Sequence, residues 1–156
     1  MSDTLAPILA KMASVHAKLL AFAAGLDEAA ANRPAGPEQW SPRQAIGHLA
    51  DAERAHRRFI EAVAAGGAPP SVENFDLDAW NAGRVAKRAG QSLAEVIADY
   101  EVERAATLRT LQALPDEAWA RSGRHPALGE MTVEQVARVI GIHENMHLKE
   151  MMGAEQ

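Results

Sequence analysis

Apolar residues recur along most of this chain with the 3.6-residue period of an amphipathic helix. The first such stretch runs from about Thr4 to Ala24, with Leu5, Ile8, Leu9, Met12, Val15, Leu19, Leu20 and Phe22 on its apolar face and Gly25 as a stop. The segment from Asp27 to Trp40 holds Pro34, Gly36 and Pro37 and reads as a long loop. A second helix starts sharply: Ser41 is an N-cap, Pro42 suits the first helical position, and Gln44 completes a capping box. Its face continues through Ile46, Leu49, Phe59, Ile60 and Val63; Gly66 and Gly67 end it, and Pro69-Pro70 prevent resumption. An irregular stretch from Ser71 to about Leu77 leads to a short helix from Asp78 to Arg88, broken by Gly90.

Ser92 with Glu95 opens a third long helix that reaches about Leu114, with Leu93, Val96, Ile97, Tyr100, Leu108 and Leu111 inward. After Pro115 comes a loop with Gly123, Pro126 and Gly129; Thr132 with Gln135 then caps a last helix from Val133 to about Met152. No segment alternates apolar and polar residues with β-branched enrichment, so no sheet is expected. The pattern predicts an all-α fold: an up-and-down four-helix bundle with a short extra helix between helices two and three, in one domain over residues 1–156.

Composition narrows the chemistry. The 156 residues suit one domain, and 47% are apolar. With no cysteine, disulfides, thiolate metal sites and a cysteine nucleophile are excluded. A net charge of -5 and the lack of a Lys/Arg-rich run argue against a nucleic-acid partner. The N-terminus lacks a secretory pattern and the most apolar run, Leu19–Leu26, is short for a membrane span, so a cytoplasmic protein with no membrane partner is expected.

Histidine supplies the candidate chemistry. His143 and His147 stand four apart, one turn above each other, on the apolar face that carries Val136 and Ile140. Inward imidazoles need partners for both nitrogens, and a metal ion supplies one per ring. Such a site wants a third protein ligand. His48, on the flank of the helix-two face, is the best candidate, with Asp51 placed to accept its other N–H; His16 is the fallback ligand. His56 and His125 read as partly exposed. His143-Glu144-x-x-His147 also matches the zinc-protease motif with Glu144 as base, but few residues follow it and no strand is at hand to hold a peptide; Glu144 reads better as a flanking carboxylate behind the ligands. Trp40, Tyr100, Glu103 and Arg104 are candidates to line a pocket, and Trp80 could wall its mouth.

Trp40-Ser41-Pro42, Ile46-Gly47-His48-Leu49-Ala50-Asp51-Ala52-Glu53, and then His125-Pro126, Gly129, Thr132-Val133, His143 and His147 together resemble the DinB-like superfamily, which includes the bacillithiol S-transferases. The likeness covers about residues 5–152. It implies a four-helix bundle with a surface-accessible metal pocket, His48, His143 and His147 as ligands, and frequent homodimers. Relatives hold zinc or nickel, and some transfer a low-molecular-weight thiol to an electrophile while others act as thiol-dependent isomerases. Three neutral imidazoles would leave the ion an open position. The expected activity is transfer of an external thiol onto a small-molecule electrophile. The alternatives are hydrolysis by an activated water and a non-catalytic small-molecule-binding stress protein.

Overall fold

The structure is a computed structural model that describes residues 3–69 and 73–153. Four long helices form the bundle: α1 (Leu5–Ala24), α3 (Pro42–Ala64), α5 (Leu93–Gln112) and α6 (Val133–Met152). The extra helix, α4 (Leu77–Lys87), lies between the second and third of these, as the sequence predicts. All three expected capping boxes form, at Ser41/Gln44, Ser92/Glu95 and Thr132/Gln135.

The chain directions run up, down, down, up, which departs from strict up-and-down alternation. Glu53 meets Arg104 and Glu61 meets Thr110, so α3 and α5 are parallel. His16 meets Glu144 while Gly141 faces Met12, so α1 and α6 are parallel too. A parallel pair needs a connection that travels back along the bundle, which is the role of the long segment carrying α4.

Two further differences concern loops. A single turn, α2 (Glu28–Ala31), capped by the Asp27 side chain, interrupts the expected loop after α1. More consequentially, Ser122–His125 (β1) and Gly129–Thr132 (β2) pair as an antiparallel hairpin, correcting the expectation of no sheet. Four-residue strands are too short to show a period, and backbone pairing needs no apolar alternation. Gly129, at φ +81°, closes the turn. The prediction at Pro70 and at the start of the stretch from Ser71 falls outside the described residues.

One apolar cluster gathers Val15, Leu19, Ile46, Leu49, Val96 and Leu148, and a second gathers Ile8, Met12, Phe59, Ile60, Leu111 and Val136. The helix α1 is long and apolar enough to cross a membrane by length and composition, which the shorter run noted in the sequence understated. Its Leu5, Ile8, Met12, Val15 and Leu19 are buried in the bundle.

Candidate metal centre

The antiparallel packing of α3 on α6 brings His48 beside His143 and His147. His48 Nε2 lies 3.2 Å from His143 Nε2, which lies 3.1 Å from His147 Nε2. Three ring nitrogens thus converge on one point, and a shared proton can satisfy one pair at most. Nitrogens about 2.0–2.1 Å from a tetrahedral ion stand about 3.3 Å apart, so these spacings suit a divalent cation. The three rings form a cluster of potential ligands among the described residues.

The surroundings keep the rings neutral. Burial, then the neighbouring His143 and His147, pushes His48 down to about 3. Burial and His147 take His143 to about 4. Burial also lowers His147, opposed by Glu150, whose Oε1 accepts from its Nδ1 at 2.8 Å. That bond fixes the ring with Nε2 free of its proton, the form that binds a metal. The Trp40 indole covers the cluster, 4.6 Å from the His48 ring and 5.9 Å from that of His147. Ser41 caps α3 immediately after Trp40, which holds the indole at the helix mouth.

A cavity of about 760 Å³ opens from the three histidines. Trp40, Phe59, Phe75, Trp80, Leu128 and Met146 wall it, so it is largely apolar. That size suits a small organic molecule. Trp40 and Trp80 line it as the sequence suggested; Tyr100, Glu103 and Arg104 do not. Tyr100 and Arg104 are buried in the bundle interior, and Glu103 pairs with Arg54 and Arg57.

Several expected roles change. Asp51 does not accept from His48, whose Nδ1 is buried without a protein partner among the described residues. Asp51 accepts instead from Arg54 (3.1 Å), Arg84 (2.9 Å) and Arg88 (2.9 and 3.0 Å). Guanidinium donors outcompete a neutral imidazole N–H for a carboxylate. Although burial alone would raise the Asp51 pKa, Arg88 and Arg84 hold it below its ordinary value. These bonds tie α4, which buries no residue of its own, to α3. Gly47 makes room for them: a Cβ there would stand 2.8 Å from the Arg88 side chain.

Glu144 faces away from the histidines beside it in sequence. It is fully buried, accepting from Arg104 at 2.9 Å and His16 at 2.7 Å. Arg104 also forks onto Glu53. His16, the fallback ligand, bonds Glu144 through one ring nitrogen and Glu101 through the other. Carboxylates only accept, so both nitrogens are protonated and the ring is a cation. Burial opposes that charge, but the bonds to Glu144 and Glu101 raise the His16 pKa overall. A cationic ring with both nitrogens engaged cannot serve as a ligand.

His56 and His125, expected to be partly exposed, are buried and bonded to each other at 3.0 Å. Both line the cavity. The sequence concealed them because the hairpin that delivers His125 carries no periodic signal.

The DinB superfamily model matches residues 4–151 of this chain. The uncharacterized protein YuaE of Bacillus subtilis (strain 168) is 26% identical over 137 residues, or 81% of this chain and 84% of its own length. YfiT from Bacillus subtilis, described as a probable metal-dependent hydrolase with an unusual four-helix bundle topology, superposes with a TM-score of 0.80 at 18% identity. That match covers 98% of this chain and 87% of YfiT. A mycothiol-dependent maleylpyruvate isomerase superposes with a TM-score of 0.80 at 13% identity, over 97% of this chain and 63% of its own. At these identities the structural likeness concerns the fold.

Proposed function

The chain belongs to the DinB superfamily, and on that premise we propose that it binds one divalent ion, zinc or nickel, through His48, His143 and His147 and transfers a low-molecular-weight thiol onto a small electrophile. The observation that carries this reading is the convergence of three Nε2 atoms at the wall of an apolar cavity. An ion held there would lower the pKa of a thiol or a water occupying its remaining coordination position. The chain has no cysteine, so the thiol comes from outside. Trp40, Phe75 and Trp80 would pack against the apolar body of the substrate and exclude water from it.

The choice of thiol over water rests on what the cavity lacks. Asp51 is its one carboxylate among the described lining residues, and three arginines occupy it. Glu144, the base in a zinc-protease reading, is committed to Arg104 and His16 on another face of α6. Water activation most often uses a histidine or a carboxylate as proton acceptor, and the acceptor nitrogens of His56 and His125 in this cavity are already engaged, by His125 and by two backbone amides. A thiol, whose ordinary pKa is about 8.5, is far closer to ionisation. The name carried by YfiT keeps hydrolysis as the second reading.

The test is to load the protein with zinc or nickel and assay several low-molecular-weight thiols against model electrophiles. Thioether formation that His48→Ala abolishes supports the proposal. No thiol-dependent rate above that variant, together with hydrolysis of small esters or amides, supports the second reading.

A further inference from the structure

The hairpin that the sequence hid does more than close the cavity; it fixes where two protons sit. His125 Nδ1 accepts from the amides of Ala127 and Leu128, at 3.1 and 3.2 Å. Amides only donate, so this nitrogen is bare and the proton of the ring is on Nε2. That Nε2 stands 3.0 Å from His56 Nδ1. His125 therefore donates and His56 Nδ1 accepts, which leaves the proton of His56 on its own Nε2. Phe59, whose ring is 5.3 Å from that of His125, braces the arrangement.

The His56 Nε2–H is left over. It has no protein acceptor among the described residues and is not sealed from the cavity that His56 lines. The His56 ring is 6.2 Å from that of His143 and nearly perpendicular to it, at 86°. A single donor of fixed tautomer thus borders the cavity beside the histidine cluster, open to an acceptor atom of a bound ligand.

We propose that His56 donates a hydrogen bond from Nε2 to a carbonyl or carboxylate oxygen of the molecule bound beside the metal centre, with His125 as the residue that holds the tautomer. The inference rests on the metal-centre reading and narrows its substrate class to electrophiles carrying such an oxygen. No proton is transferred in this role; the bond orients the oxygen and stabilises negative charge that develops on it.

Two measurements test it. In the first, 15N-histidine NMR of the metal-free and zinc-loaded protein reads the tautomers directly. The expected result is His56 protonated at Nε2 and bare at Nδ1, becoming a mixture of tautomers in His125→Phe. In the second, the cobalt-loaded protein is titrated with acetate and with ethanethiol, following its visible spectrum. His56→Phe is expected to weaken acetate about 10-fold and ethanethiol less than about 2-fold, with His56→Asn recovering part of the acetate affinity. His56 protonated at Nδ1, equal weakening of both probes, or unchanged acetate binding overturns the inference. A second ion per chain, lost in His56→Phe, makes the pair a metal site and overturns it as well. A protein that takes up no cobalt defeats the metal-centre reading and this inference with it, whereas cobalt uptake with any of the other failures defeats the inference alone.

Discussion

His143 and Glu144 are adjacent in the chain, yet they serve two regions of opposite character. His143 joins a cluster in which ring nitrogens face ring nitrogens. Glu144 joins a network in which every charge meets its opposite: Glu53 and Glu144 share Arg104, and the His16 cation bridges Glu144 and Glu101. Both regions are polar and mostly buried. The difference is satisfaction. The network is complete within the protein and reads as structure, while the three facing nitrogens of the cluster cannot all satisfy one another and fit the metal site proposed above.

The largest expected separation of the two comes from Arg104→Ala. It strands two buried carboxylates and should cost about 3–5 kcal/mol in urea unfolding. An equally large change in metal affinity in the folded variant would show that the regions are coupled.

Acid weakens both regions, and His16 alone answers pH with the opposite sign. His48 and His143 titrate at about 3 and about 4 in the fold, against 6.5 in the unfolded chain. The unfolded chain binds more protons in that interval, so metal-free stability is lost as pH falls from about 6.5 toward 4. Glu144 and Asp51, both held below their ordinary values by cationic partners, add to that acid loss. His16 is raised, so its contribution is present below 6.5 and fades as pH rises through its folded value. Metal-free melting temperature should drop by more than about 10 °C between pH 7 and pH 4, and less steeply in His48→Phe. A flat profile would mean that the histidines are not held neutral.

Glu144→Gln should destabilise by about 1–3 kcal/mol, because Arg104 and His16 lose a charged acceptor, while ion affinity stays within about 2-fold. A collapse of metal affinity would return Glu144 to the centre and revive the protease-like reading. The smallest effect is expected from Glu150→Gln, which weakens the hold on the His147 ring. A loss of about 10-fold in zinc affinity, read by competition with a chelator, is the expected outcome.

The helices were legible because each carried its own signal. Ser41-Pro42 with Gln44, and Thr132 with Gln135, start α3 and α6 at the residues the capping rule picks. The His143/His147 pair was legible because an i, i+4 spacing on an apolar face turns two rings inward, while His48 was picked from its place on the flank of the α3 face and from the family resemblance. Other features were not legible, since they depend on long-range partners. Asp51 looked available to His48, but Arg84 and Arg88 come from a helix whose docking no local pattern reports. Arg104 read as a candidate pocket residue because its partners, Glu53 and Glu144, lie on two other helices. The parallel pairing of α3 with α5 likewise follows from packing, not from periodicity. The His56–His125 pair waits on a hairpin of four-residue strands.

The central claim is that three histidines from two helices hold one cation. Metal analysis of protein purified without an affinity tag, beside His143→Ala, tests it most directly. Close to one zinc or nickel ion per wild-type chain and almost none in the variant is the expected outcome. A wild-type chain without a stoichiometric ion, or a variant that keeps it, would rule out the three-histidine site.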